Sequence, residues 1–278
     1  QTSEEESSLD GLGTAGVEIT SPFSSSNTTE NGGTVSTKVR LKSAPLSPVT
    51  ITLNSSDTQE GTVSPTVLTF NKDNWDSYVS IIVTGVDDDI ADGSQSYEIQ
   101  IASIVSEDSK YSALNGQINP IKLQNEDDEI KAIVLGSLSG DTTEAGGNAT
   151  FSVKLASKPI EAVSIPIIST DTSEGTVSVS SLSFDNSNYN TVQTVTVNGE
   201  DDDERDGNIA YQVKIGPTSS NSLPYNNVES LTHSITNIDN ETSGVTVSST
   251  NITTDEAGST STFTVKLVTK PSADVTIN

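Results

Sequence analysis

Residues 55–75 read SSDTQEGTVSPTVLTFNKDNW, and residues 169–189 read STDTSEGTVSVSSLSFDNSNY. The two stretches align without a gap at an offset of 114, and the match extends outward. Asp57 maps to Asp171, Gly61 to Gly175, Phe70 to Phe184, Trp75 to Tyr189, Tyr97 to Tyr211 and Tyr111 to Tyr225. A third copy opens later, where Glu144-Ala145-Gly146 returns as Glu256-Ala257-Gly258 and Lys158-Pro159 as Lys270-Pro271, at an offset of 112. Self-similarity at a fixed period marks tandem copies of one folding unit. The expected layout is an acidic flexible tail (1–16), repeat one (17–131), repeat two (132–243) and a partial repeat three (244–278).

Inside each repeat the apolar residues alternate with polar ones. Val35-Ser36-Thr37-Lys38-Val39-Arg40-Leu41 is one such run; Phe151–Leu155 and Phe263–Leu267 are its counterparts. A period of two places one face of a strand in a core and the other in water. Further runs at 17–20, 49–53, 62–70, 78–84, 96–105 and 118–124 bring the expectation to seven short strands per repeat, separated by Asn, Asp, Gly and Ser turns. No window sustains a helical period. The expected fold class is therefore all-β, as tandem immunoglobulin-like seven-stranded antiparallel β-sandwiches. Phe70, Trp75, Tyr97 and Tyr111, with their repeat-two partners, are read as core or corner anchors because they recur wherever the repeat recurs. The third repeat offers three strands, at 245–248, 260–267 and 275–277, too few to close a sandwich.

Composition narrows the function. The 278 residues hold 13 Lys+Arg against 39 Asp+Glu, a net charge of −26. Such a chain does not neutralise nucleic-acid phosphates and is repelled by anionic membranes, and no apolar run is long enough for direct membrane insertion. With no cysteine, disulfides, zinc–thiolate sites and cysteine nucleophiles are excluded. A chain that opens on Gln1 and contains no methionine is expected to be a processed or excised piece, and its Ser/Thr-rich, Lys-poor make-up fits an extracellular or cell-surface bacterial protein. The lone histidine, His233, falls in an alternating run without a repeat-one counterpart and reads as a strand surface residue. No Ser–His–acid spacing and no phosphate-binding glycine loop is present, and carboxylate pairs duplicated in every copy do not resemble a catalytic pair, so an enzyme is not expected.

The acids gather in turns, in register between repeats. Asp87-Asp88-Asp89 with Asp92 matches Asp201-Asp202-Asp203 with Asp206. Glu126-Asp127-Asp128-Glu129 closes repeat one as Asp239 and Glu241 close repeat two. Single acids precede the second strand (Glu30, Glu144, Glu256), and Asp57/Glu60 and Asp171/Glu174 precede the GTV strand. Crowded carboxylates repel and lose hydration, a cost that a hard dication reverses. Calcium takes six to eight oxygens at 2.3–2.6 Å in tolerant geometry, which turns converging from one end of a sandwich can supply. The DDDIADG loop is not an EF-hand, because counting from Asp88 the third position is Ile90 and the twelfth, where a bidentate Glu is required, is Ile99.

The order of these acids resembles the Calx-beta domain, first defined in sodium–calcium exchangers and widespread in bacterial surface proteins. The resemblance covers residues 17–241 and, truncated, 244–278. It rests on the early Glu (TENGG, TEAGG), the acid before the GT strand, the DDD loop followed by an aromatic (Tyr97, Tyr211), and the closing acids. It implies calcium held at one end of a seven-stranded sandwich, near the junction to the next domain. The implied ligands are Glu30, Glu60, Asp87, Asp88, Asp92, Asp127 and Asp128 in repeat one, and Glu144, Glu174, Asp201, Asp202, Asp206 and Asp239 in repeat two. The chain departs from the family where a further Glu after the DDD loop falls on Gln95 and Ile209, and where Asp128 becomes Asn240.

Two non-enzymatic readings follow. One is a calcium-rigidified structural or adhesive stalk, a segment of a larger repeat protein or filament whose partners are calcium ions and neighbouring repeats or identical subunits. The other is an extracellular ligand-binding module, recognising a glycan or host protein, or an accessory domain of a secreted enzyme. The linker Asp128-Glu129-Ile130-Lys131 has no Gly/Ser/Pro spacer and the chain has a single Trp, which favours the stalk over a sugar-binding platform.

Overall fold

The computed structural model describes residues 13–20, 27–221 and 223–278. Most of the expected acidic tail, residues 1–12, therefore lies outside the described residues. The chain divides into a unit ending at Ile130 and a unit beginning at Lys131.

In the first unit, β1 (Val17–Ile19), β3 (Thr34–Leu41), β7 (Val79–Gly85) and β5 (Gly61–Ser64) form one sheet in the order β1-β3-β7-β5. The second sheet runs β2 (Asn27–Thr29), β9 (Ile121–Glu126), β8 (Gln95–Val105), β4 (Val49–Ser55) and β6 (Val67–Phe70). The alternation read from sequence decides which side chains meet between the sheets. Val35, Val39, Ile81 and Val83 from the first pack with Ile51, Phe70, Ile99 and Leu123 from the second in one buried core. Every second residue of β3 faces out, as its exposed and buried alternation records.

The second unit repeats this plan. Its first sheet is β10 (Ile133–Leu135), β12 (Asn148–Leu155), β16 (Gln193–Gly199) and β14 (Gly175–Val177). The second is β11 (Thr142–Thr143), β19 (Leu231–Ile238), β17 (Ile209–Ile215), β13 (Val163–Ser169) and β15 (Ser181–Phe184), with β18 (Ser219–Ser220) paired to β13. The buried aromatics are those expected: Phe70, Tyr97, Tyr111 and their partners Phe184, Tyr211 and Tyr225 are at most 5% exposed, while Trp75 and Tyr189 pack at the core margin. Tyr111 lies in a helical turn, α1 (Ser109–Ser112), and its hydroxyl donates to the Ser43 carbonyl at 2.6 Å. Tyr225 does the same to Ser157 at 3.0 Å.

Three expectations are corrected. The single run at 62–70 is two strands in different sheets, β5 and β6, and its repeat-two counterpart splits in the same way into β14 and β15. Pro65 has no N–H for a ladder, but Val179 and Ser180 stand at the repeat-two crossing. The common cause is closure, since Val63 must reach one sheet and Leu68 and Phe70 the other. The crossing is held by a bond from the Leu53 amide to the Thr66 carbonyl at 2.7 Å, matched by Ile167 to Ser180 at 2.9 Å. The opening run at 17–20 forms β1, and an additional strand that the alternation does not mark, β2, with its counterpart β11, runs parallel to β9 and β19 in the opposite sheet, so the sandwich is not wholly antiparallel. His233 is half-buried rather than a plain surface residue: its ring lies 5.0 Å from that of Phe151 and Nε2 sits 3.1 Å from the Gly136 carbonyl.

The last segment forms only two short strands, β20 (Val245–Val247) and β21 (Val265–Leu267). Val245 pairs with Leu267 as Val17 pairs with Leu41 and Ile133 with Leu155. The expected strand at 275–277, the counterpart of β4 and β13, does not form, and among the described residues no equivalent of the strands that pair with those two (β6 and β8, β15 and β17) is present to pair with it.

Tyr97 and Tyr211 lie so close to the GTV strands that Gly61 and Gly175 admit no side chain: a Cβ at Gly61 would come 2.3 Å from the Tyr97 ring, and at Gly175 2.1 Å from the Tyr211 hydroxyl oxygen. Gly61→Ala is therefore expected to lower stability by about 1–3 kcal/mol through overpacking, read by urea unfolding, and Gly175→Ala similarly. A wild-type midpoint in both variants would contradict the close approach.

Candidate metal centre

The four acid-bearing turns are stitched together by backbone bonds at one end of each sandwich. In the first unit the Glu30 amide donates to the Glu126 carbonyl (3.0 Å), Gly85 to Gly33 (3.0 Å) and Val86 to Glu60 (3.1 Å). In the second, Glu144 donates to Ile238 (3.1 Å), Gly199 to Gly147 (3.2 Å) and Glu200 to Glu174 (3.1 Å). These bonds bring the β2–β3 turn, the turn before β5, the loop after β7 and the close of β9 into one place, and likewise their counterparts.

At these ends carboxylates are buried, Glu174 among them at 7% exposed. Glu30 is 2% exposed and Glu144 4%. Glu30 lies with Asp128 and Glu129, and Glu144 with Asp201 and Glu241, so that one carboxylate oxygen from each member of a trio falls within 4.8 Å of the others. Glu129 and Glu241 were not among the ligands inferred from sequence. Their signal was available in their recurrence at an offset of 112 within the closing acids. The Oε2 atoms of Glu30, Glu129 and Glu241 are buried and have no hydrogen-bond partner.

The remaining acids surround these trios in different roles. Asp127 accepts from the amides of Gly93 and Glu129, and Asp239 from Gly207 (2.8 Å) and Glu241 (2.6 Å), so both carboxylates brace the DDD loop against the closing segment. Asp88 accepts from the Ile90 amide and Asp202 from the Glu204 amide, each at 2.6 Å, closing the turn inside its own loop. Glu60 and Glu174 point into the end from below, each contacted by a buried asparagine, Asn125 at 3.5 Å and Asn237 at 3.4 Å. Asp87, Asp92 and Asp206 are exposed on the loop. Asp201 differs from its repeat-one counterpart Asp87 in accepting from the Asn240 side-chain amide at 3.0 Å. Glu256, in the third copy, is exposed and joins no such trio among the described residues.

The electrostatics follow from burial and crowding. Burial, with the Glu129 carboxyl alongside and Asp127 nearby, pushes Glu30 up to about 8. Hydrogen bonding to Glu144, then burial and Asp239, pushes Glu241 up to about 7. Partial loss of hydration also raises Glu60, Asp92, Glu129 and Glu174, with neighbouring carboxylates adding to it. Asp239 moves the other way, held down by the amides that it accepts from. This donor set is made of carboxylate oxygens only and is partly dehydrated; Glu30, Glu129 and Glu241 each keep an unspent buried oxygen, while Glu144 accepts from the Asn240 amide and Asp201 from its side chain, both at 3.0 Å. The set fits a hard divalent cation of calcium's kind, with Glu30, Asp128 and Glu129 as the central donors in one repeat and Glu144, Asp201 and Glu241 in the other.

These shifts have a definite sign. A Glu30 carboxyl that titrates near 8 in the folded chain and at its ordinary value of 4.5 in the unfolded one holds a proton that the unfolded chain has released. Metal-free stability is therefore greatest below about pH 4.5 for this group and is lost as pH rises toward 8. In chelator, the melting temperature is expected to fall from pH 5.5 to pH 8.5, and Glu30→Gln to flatten that slope by removing the charge. A pH-independent melt of the wild type over this window would contradict the buried pair.

No protein-family model matches this chain, and no curated protein matches it. Among solved structures it is similar to domains 4 and 5 of the S-layer protein SbsC, at 14% identity and a TM-score of 0.31, over 68% of this chain and 77% of that one. It is also similar to the calcium binding domain CBD12 of CALX1.1, at 14% identity and a TM-score of 0.31, over 69% of this chain and 77% of that one. CBD12 from CALX1.2 matches at 15% identity and a TM-score of 0.32, over 69% and 78%.

Proposed function

We propose that residues 17–131 and 132–243 are two calcium-binding sandwiches of the Calx-beta type, and that the chain, with the partial copy at 244–278, is a structural segment of an extracellular or cell-surface repeat protein stiffened by the ion. The observation that carries the metal reading is the Glu30–Glu129 pair: two carboxylates side by side, each with a buried oxygen that has no hydrogen-bond partner among the described residues. A buried anionic oxygen without a partner costs several kcal/mol, and a divalent cation removes the penalty and the mutual repulsion together. The structural role rests on tandem repetition, on the absence of a spacer in the linker, and on acids placed where each repeat closes. Ions held there tie the last strand of a repeat to its own turns, limiting the freedom of the segment that leaves it.

Calcium at 100 times its dissociation constant is expected to add about 2.7 kcal/mol to the folded state. Melting in millimolar calcium against chelator reads this, and magnesium, which dehydrates reluctantly, should restore little. Identical melts in calcium and chelator would defeat the proposal.

The two repeats are expected to differ. Repeat one keeps Asp128 where repeat two has Asn240, and the Asn240 amide already occupies an oxygen of Asp201. Calorimetric titration of the whole chain should lose its tighter phase in Glu30→Gln and its weaker phase in Glu144→Gln. The reverse assignment would show that the carboxamide does not weaken its site.

A further inference from the structure

Asn125 and Asn237 are almost wholly enclosed, at 0% and 1% exposed, yet they lie at the acidic end rather than in the apolar core. They occupy corresponding places, two residues before Asp127 and Asp239. Asn125 reaches three of the turns that carry acids. Its Nδ2 donates to the Val86 carbonyl at 2.8 Å, at the mouth of the DDD loop, and lies 3.5 Å from Oε2 of Glu60. Its Oδ1 accepts from the Thr28 hydroxyl at 2.9 Å, two residues before Glu30, and that hydroxyl is 2.9 Å from the hydroxyl of the buried Tyr97. Asn237 repeats the pattern, with Nδ2 donating to the Glu200 carbonyl at 2.9 Å and lying 3.4 Å from Oε2 of Glu174, while Thr142 meets Tyr211 at 3.1 Å. The backbone is fitted around this amide. A Cβ on Gly85 would come 2.4 Å from Oδ1 of Asn125, and one on Gly199 2.7 Å from Oδ1 of Asn237.

We infer that Asn125 and Asn237 are the positioning residues of the two metal centres, each a single buried carboxamide that fixes the spacing of the acid-bearing turns before any ion arrives. This role rests on the metal reading above and deepens it. A carboxamide suits the place because it donates to a carbonyl and accepts from a hydroxyl at once; an aspartate would offer no donor to Val86 and would add charge beside Glu60. The energetic logic is that of an outer-shell partner: it contributes no donor oxygen to the trio but removes the conformational freedom that ion binding would otherwise have to freeze. The hub of repeat two is one bond short, since Oδ1 of Asn237 has no hydrogen-bond partner among the described residues. This is a second reason, independent of Asn240, for the weaker site to lie in repeat two.

Calcium titration of the whole chain tests the inference, with melting in chelator recorded alongside. Asn125→Ala should weaken the repeat-one phase by about 10–100-fold, the range typical of lost outer-shell partners. Val39→Ala is the control for stability alone. It deletes core volume on β3, away from the acidic turns, and should lower the chelator melt while leaving calcium affinity at the wild-type value. Thr28→Val is isosteric and breaks the same relay with little loss of packing, so it serves if Asn125→Ala does not fold; it should weaken the same phase. Wild-type affinity in a folded Asn125→Ala or Thr28→Val would overturn the positioning role and leave the metal reading standing, as would an equal loss of affinity in Val39→Ala. A wild-type chain that takes up no calcium would overturn the metal reading and this role with it.

Discussion

Repulsion between like charges is the constraint on which the acidic end of each sandwich depends. Glu30 and Glu129 sit side by side at the close of the first unit, as Glu144 and Glu241 do in the second. Among the described residues no cation pairs with either trio: in the second unit Arg205 acts on Asp239 and Lys270 bridges Glu204 of the loop. Arg40, the best-held cation of the first unit, is spent on Glu18 and the face of Tyr78. The fold must therefore impose the crowding against the preference of the carboxylates themselves. It does so with backbone bonds between the turns and with a buried asparagine beneath them. Without a cation, the protein meets the repulsion by retaining a proton on Glu30 into the neutral range.

The division of labour among the acids explains why so many are present. Some brace: Asp127 and Asp239 spend both oxygens on amides, and Asp88 and Asp202 close their own loops. Others are left with lone pairs directed into a confined space. A carboxylate that accepts two amides is held in its charged form and gains little from a cation, whereas one buried without donors gains most. Burial and the hydrogen-bond inventory separate these groups; the count of acids in a cluster does not. The same distinction sets the two repeats apart, since one amide nitrogen, that of Asn240, moves Asp201 toward the braced group.

Much of the fold was legible before any coordinates. The offset of 114 and the strict alternation of β3 and β12 lead directly to sandwiches with Phe70, Tyr97 and Tyr111 inside, because side-chain period and burial are linked by the geometry of a strand. Strand count was not legible in the same way. The division of the 62–70 run between two sheets marks the apolar period only as a change of phase, from Val63 to Leu68 and Phe70, and a phase change does not say which sheet each half joins.

For the candidate site, sequence alone determined that the acids lie in turns, recur in register, and leave the chain with a charge of −26. The acid clusters that contain Glu30, Asp128, Glu144 and Asp201 stand out on that basis, because charge and turn preference are properties of local sequence, whereas the choice of these residues within the clusters came from the resemblance to the Calx-beta domain. Tertiary structure decided which of them share a centre, admitted Glu129 and Glu241, and set Asp127 and Asp239 to bracing. It also revealed Asn125 and Asn237, uncharged residues in strands with nothing in their immediate neighbours to distinguish them. The physical reason is that a carboxylate's role depends on how much water it has lost and which donors replace that water. Both are fixed by segments that lie up to 99 residues apart along the chain, as the contact from Asn27 to Glu126 illustrates, and meet only when the sandwich closes.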